Sequence, residues 1–291
     1  MKPSTFEYKR AESFEQACQF LSEAPMDSKI LAGGQTLIPM LNFRLARPKV
    51  LIDISRINDS NQITEEVDGI RIRATTVQRV VERSPVVQNR LPLLHLAVQH
   101  VAHVQIRTKG TIGGSIANAD PASELPAMSM VFDAVLEVRN AHEERRIAAE
   151  DFFVSYYMTA MEPDEVLTSI YFPAPPKGTG WGFHELARRS GDFALAGGTA
   201  LITVDVSGVC SRARVVVFGV AATPVRATAT EEMLVGQSYS DELVKQASRE
   251  IQSVVDPESD VHASADYRRI TAEVMAARAI SDAFKRVTPK D

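Results

Sequence analysis

Cysteine is nearly missing: the 291 residues contain only Cys18 and Cys210. Two thiols cannot hold an iron–sulfur cluster through four thiolates, and they give no disulfide framework. A basic run is also lacking. With 32 Lys and Arg against 37 Asp and Glu the net charge is −5, which argues against nucleic acid as a partner. No stretch approaches the roughly 18 apolar residues of a membrane span. Residues 1–10 are polar and charged, without the apolar region of a signal peptide, so the expected location is cytoplasmic. Neither G-x-G-x-x-G after a strand nor G-x-x-x-x-G-K-[ST] occurs, which disfavours Rossmann and P-loop sites. H-E-x-x-H is absent too. His100 and His103 stand three apart without a Glu or Cys at metal-binding spacing and read as ordinary helix histidines. No metal ligand and no catalytic residue is assigned.

Two glycine pairs are what the chain does have. Residues 109–124 read K-G-T-I-G-G-S-I-A-N-A-D-P-A-S-E, with Gly110, Gly113 and Gly114 among small and hydroxyl side chains. Residues 31–39 read L-A-G-G-Q-T-L-I-P: an apolar lead-in, a Gly pair, then polar residues. Glycine reaches φ > 0 at little steric cost and lets another group approach the main chain. Successive free N–H groups in such a bend make an anion nest. A helix starting near Thr36, with Pro39 tolerated in its first turn, aims its positive end at the same anion. Two bends from distant parts of the chain suit a ligand with a polyanionic middle, such as a dinucleotide diphosphate. The alternative is a pair of tight turns. Residues 178–182 (G-T-G-W-G) follow Pro175-Pro176-Lys177 and read as a linker.

Residues 32–48 (A-G-G-Q-T-L-I-P-M-L-N-F-R-L-A-R-P) and 111–126 (T-I-G-G-S-I-A-N-A-D-P-A-S-E-L-P) resemble the two FAD-binding loops of a known subunit family. It is the medium, flavin-carrying subunit of the molybdenum hydroxylases, which include xanthine, carbon monoxide and N-heterocycle dehydrogenases. Residues 263–270 (A-S-A-D-Y-R-R-I) resemble that family's entry to its last helix, so the resemblance spans essentially the whole chain. It implies an α+β protein: a two-subdomain FAD-binding fold of the vanillyl-alcohol-oxidase/PCMH type, followed by a small α+β C-terminal domain. Ala32, Gly33, Gly34, Gln35, Thr36 and Leu37 match the first diphosphate loop; Thr111, Gly113, Gly114 and Ser115 match the second. Ala117, Asn118, Asp120 and Glu124 follow, with Glu124 placed to bond ribose or adenosine hydroxyls. Leu167, His184, Asp192 and Phe193 fall where the family has ring-side residues.

The same resemblance implies a small iron–sulfur subunit with [2Fe–2S] clusters and a large molybdopterin subunit as partners, in a dimer of heterotrimers. Electrons would pass from the clusters through FAD to an external acceptor during hydroxylation of an N-heterocycle, a purine, an aldehyde or CO. A free-standing FAD-dependent oxidoreductase of related fold is the competing enzyme reading, and a non-catalytic binding module the competing reading from another class.

Local patterns supply the elements. Ser13, with Gln16 three residues on, is the expected N-cap of a helix burying Phe14, Ala17, Cys18 and Leu21. Residues 50–54 read as a buried strand and 63–74 as a hairpin turning at Asp68-Gly69. Thr76 and Ser84-Pro85 start short helices, 91–104 forms an apolar one, and 131–139 and 165–172 are strands. Residues 173–182, rich in Pro and Gly, mark a boundary. The division is then 1–57 and 58–176 for the two FAD-binding subdomains and 177–291 for the C-terminal domain. There, strands 197–206 and 212–221 join at Ser207-Gly208, and 241–254 and 264–287 are helices. In the last, Tyr267, Ile270, Val274, Ala277, Ser281 and Phe284 are the expected buried stripe.

Overall fold

The computed structural model describes residues 2–57 and 62–287; the expected boundary at 57/58 runs into 58–61, outside the described residues. Ser13 Oγ accepts from the Gln16 N–H at 3.1 Å and starts the helix Phe14–Glu23. Gln16 Oε1 reaches back to the N–H of Glu12 (2.7 Å), one residue beyond its capping-box partner. Phe14, Ala17, Cys18 and Leu21 are buried on one face. They pack with Ile52 and Ile54 against a parallel sheet whose spatial order is Glu7–Arg10, Val50–Asp53, Ser28–Leu31.

A second sheet is antiparallel throughout, in the order Ile63–Glu66, Gly69–Arg73, Val166–Pro173, Val135–Arg139, Glu144–Ala148. Ile70 and Ile72 enter the core, while Arg71 pairs with Glu66 and Glu137, as two-residue alternation requires. The helices Pro92–His100, Ile112–Asn118 and Glu124–Val131 belong to the same core. Glu124–Val131 is buried along its whole length because it also packs against the third sheet. Residues 131–134, expected to open a strand, therefore finish this helix and turn through Asp133 at φ 52°; the strand begins at Val135.

The third sheet runs Thr179–Leu186, Ala196–Val204, Cys210–Phe218, Val225–Arg226, all antiparallel. Phe183, Leu201, Val216 and Phe218 join the core of the second sheet, whereas Ala200, Ile202, Val215 and Val217 face the helix Ala265–Lys285. A strand covered on both sides is apolar at successive positions, which accounts for Val215-Val216-Val217-Phe218. The linker expected at 178–182 is instead the start of a strand. A side chain at Gly180 or Gly182 would overlap the carbonyl oxygen of Ala283 or Ala279 on the C-terminal helix. The expected stripe on that helix is also corrected: Tyr267, Ile270 and Val274 are 50%, 57% and 39% exposed. The buried face is Arg268, Thr271, Ala272, Met275, Ala276, Ala279, Ile280, Ala283 and Phe284. Alanines win over the larger residues because the helix main chain lies directly on glycine-bearing strands.

Candidate functional site

The strand Ser28–Leu31 delivers residues 32–36 to the carboxyl end of the parallel sheet, where ligands of open α/β sheets collect. Gly34 turns the chain at φ 72°, Gln35 Nε2 donates back to the Gly33 carbonyl (3.0 Å), and the short helix Leu37–Asn42 follows. Among the described residues, no protein acceptor meets the main-chain N–H of Gly33, Gly34, Gln35, Thr36 or Leu37. Unpaired donors in a row are costly unless water or a ligand takes them. Free amides beside a helix start are the arrangement that suits an anion. The Thr36 side chain is exposed at its rim.

The second glycine stretch is built differently. Thr111 Oγ1 accepts from the Gly114 N–H at 3.0 Å and caps the helix Ile112–Asn118. The Gly113 N–H donates to the Ala74 carbonyl (2.9 Å), and that of Ser115 to the Thr111 carbonyl (3.2 Å). These amides are therefore taken, against the expectation that both loops offer theirs; of Thr111, Gly113, Gly114 and Ser115, Thr111 is the one whose N–H meets no protein acceptor among the described residues. Gly113 is required for packing, since a Cβ there would stand 2.6 Å from Ala74 Cα. The two loops nevertheless meet. A side chain on Gly33 would overlap the Lys109 carbonyl oxygen and stand 2.7 Å from Gly110 Cα, and one on Gly114 would stand 3.5 Å from Ala32 Cβ. The junction between the loops, the candidate cleft, brings together the free amides of residues 33–37 and the second glycine stretch, near the hydroxyls of Ser115 and Ser123, which pair at 3.1 Å.

Residues 4–175 match the family model for the FAD binding domain in molybdopterin dehydrogenase, and residues 181–283 match the CO dehydrogenase flavoprotein C-terminal domain. The chain belongs to the FAD-binding subunits of the molybdenum hydroxylases. It is 37% identical to the carbon monoxide dehydrogenase medium chain of Hydrogenophaga pseudoflava, over 98% of this chain and 99% of that one. It is equally 37% identical to subunit alpha of the 6-hydroxypseudooxynicotine dehydrogenase complex of Paenarthrobacter nicotinovorans, over 99% and 98%. The solved carbon monoxide dehydrogenase from H. pseudoflava superposes with a TM-score of 0.96 at 38% identity, covering 99% of this chain and 100% of that one. Quinoline 2-oxidoreductase from Pseudomonas putida 86 gives 0.93 at 31% identity, covering 98% and 99%. As a member of this family the chain is an oxidoreductase subunit with FAD as its cofactor.

For this flavoprotein subunit, the row of unpaired amides fits a diphosphate, which needs donors more than it needs lysines. The remaining expected residues divide into rim and support. Ala117 is exposed, and Asn118 and Asp120 are half-buried at the rim. Asp120 is held by the Ala122 N–H (3.0 Å) and the Tyr157 hydroxyl (3.4 Å); burial raises its pKa. Glu124 is 3% exposed. Burial, then the neighbouring Glu185 carboxylate, pushes its carboxyl up to about 8, with Asp120 adding and Arg107 opposing. At neutral pH it is mostly a neutral acid able to donate a hydrogen bond, not the accepting carboxylate expected. Leu167 is 4% exposed inside the core, so the protein already covers the surface it was expected to offer a ring.

His184 does not join the others. It shares a strand face with Gly180 and Gly182, and its Nε2 meets Asp282 of the C-terminal helix at 3.1 Å. Glu185, the next residue, points the other way: its Oε1 meets His100 Nδ1 at 3.0 Å, and its buried Oε2 has no hydrogen-bond partner among the described residues. Asp192 pairs with Arg188 (3.3 Å) and Phe193 is 60% exposed, both on a segment whose Gly191 packs against His103. The sequence patterns single out neither Glu185 nor Tyr157, and they leave His103 an ordinary helix histidine, whereas it lies just before the helix Val104–Arg107 and packs against Gly191. Strand alternation beside Gly180 and Gly182 would point to Glu185; no local pattern marks Tyr157.

Among the described residues no group of three or more His, Cys, Asp or Glu could hold a metal ion, and no helix is long and apolar enough to cross a membrane.

Proposed function

We propose that this chain is the electron-transfer flavoprotein of a three-component molybdenum hydroxylase. It takes electrons from the [2Fe–2S] clusters of a small partner subunit and passes them to an external acceptor, while a large molybdopterin subunit hydroxylates the substrate. The observation that carries this reading is the row of unpaired amides from Gly33 to Leu37, held against Lys109 and Gly110 by a glycine that no larger residue can replace. Bound FAD supplies chemistry that accepts electrons singly and releases them as a pair.

This chain's residues bind, orient and shield. The amides of Gly33, Gly34, Gln35, Thr36 and Leu37, the Thr36 hydroxyl and the Thr111 N–H would hold the diphosphate. Ala32 and Gly114 keep the loops in contact; Gly113 and Leu167 support them from inside. Ser115, Ala117, Asn118 and Asp120 form the rim, and Glu124 donates its proton in a hydrogen bond from beneath. Asp192 and Phe193 lie on the segment that shields the ring. His184 serves the contact with the C-terminal helix and is left out of the flavin set.

Two cysteines cannot ligate a cluster through four thiolates, and the iron–sulfur and molybdopterin centres are assigned to partner chains, in a cytoplasmic dimer of heterotrimers. The division 1–57, 58–176 and 177–291 is kept as the domain proposal. Relatives are named for carbon monoxide, nicotine and caffeine; the substrate proposed here is likewise small, an N-heterocycle, purine, aldehyde or CO, chosen on the large subunit. The test is purification of the full chain with and without coexpressed partners. One FAD per chain and co-elution of iron–sulfur and molybdopterin subunits are expected. A chain with no affinity for FAD refutes the cofactor site. A flavoprotein that an organic substrate reduces without partners refutes the electron-transfer role.

A further inference from the structure

The strands Phe153–Ser155 and Met158–Thr159 form a small hairpin whose turn residues are Tyr156 and Tyr157. Tyr157 sits at φ 55°, a left-handed conformation that turns normally give to Gly or Asn. Its N–H donates to the carbonyl of Ala119 at 3.3 Å, and Ala119 is itself left-handed, φ 50° and ψ 42°, at the end of the helix that follows the second loop. The Tyr157 hydroxyl donates to Asp120 Oδ2 at 3.4 Å. Two strained non-glycine residues thus hold one aromatic ring beside residues 117–120 of the cleft rim. The ring nevertheless stays 63% exposed, so it contributes little to any core. Strain of this kind persists only where the surrounding structure over-determines it, and it clusters at active sites and ligand clamps.

We infer that Tyr157 is a stacking platform for one of the two flat rings of the dinucleotide cofactor, with Asp120 setting the ring's orientation. A phenol face suits either adenine or isoalloxazine, since both present a π surface. The inference rests on the FAD site proposed above and adds a contact to it.

The test uses the full chain stripped of flavin, titrated with FAD and separately with FMN, which lacks the adenine. Tyr157→Gly removes the ring and also relieves the backbone. It should raise the Kd for FAD about tenfold or more, the loss typical of a deleted stacking ring, while the thermal midpoint of the flavin-free chain holds or rises. Tyr157→Phe, which keeps the ring, should bind FAD nearly as wild type does. If FMN affinity is untouched by Tyr157→Gly, the stacked ring is adenine; if FMN weakens as much as FAD, it is isoalloxazine. Unchanged FAD affinity in Tyr157→Gly overturns the inference, as does a loss confined to assembly with partner subunits. A lowered thermal midpoint without flavin also overturns it, because the ring is then structural. A wild-type chain that binds no FAD overturns the site and the inference together.

Discussion

Glu124 shows how far one residue can be moved by its surroundings. In the folded chain its carboxyl stays protonated up to about pH 8, whereas in the unfolded chain it ionises near about 4.3. Between those values the folded state holds the extra proton, so its contribution is full at the acid end and is lost as pH rises through the folded pKa. Glu124→Gln removes this titration. The thermal midpoint of the flavin-free variant should fall less than that of wild type between about pH 5 and about pH 8.5. At the same scale, two glycines with similar sequence surroundings have different uses. Gly33→Ala drives a side chain into the Lys109 carbonyl and Gly110 where the two loops meet, so it should abolish FAD retention and also cost about 1–3 kcal/mol in the flavin-free chain. Gly113→Ala drives one into Ala74 within the core and should cost about 1–3 kcal/mol of stability whether or not flavin is present. Flavin released on denaturation and thermal midpoints, measured on both variants, separate the two.

At the scale of elements, the C-terminal helix and its sheet decide which pattern in the sequence is meaningful. The helical spacing of Tyr267, Ile270 and Val274 is real, yet those residues are exposed, and the face in contact is alanine-rich. Spacing ranks residues by apolarity; here the contact is ranked by how close two main chains can come. Gly182→Ala should therefore lower stability by about 1–3 kcal/mol, through overlap with the Ala279 carbonyl. Ile270→Ser should stay within about 0.5 kcal/mol of wild type, as surface changes usually do. Urea denaturation of both variants checks the contrast, which is the reverse of what the helical stripe alone implies. Elements fixed by local chemistry were legible: Ser13 and Ser84 cap their helices, and the expected hairpin forms, although its turn is Val67-Asp68 and Gly69 opens the second strand.

For the molecule as a whole, Asp133 is a junction. It ends the turn after Glu124–Val131 and accepts from Arg212 Nη2 and Arg214 Nε, both at 2.8 Å, with Arg226 at 3.6 Å. The ion pairs join the second sheet's helices to the third sheet. Asp133→Ala should lower the thermal midpoint, and by less at about 1 M salt, where the Debye length is about 3 Å, than at about 0.15 M, where it is about 8 Å. Sequence alone determined the family and the flavin, because those follow from residue types at short spacing. Tertiary structure alone decided which amides stay free, why Gly113 and Gly182 are glycines, and that Glu185 meets His100 while His184 meets Asp282. Each of those depends on a partner far away in the chain: Lys109 for Gly33, Ala74 for Gly113, Ala279 for Gly182 and His100 for Glu185. Whether a donor is satisfied, and how closely two backbones approach, are properties of the pair, and a linear pattern holds only one member of it.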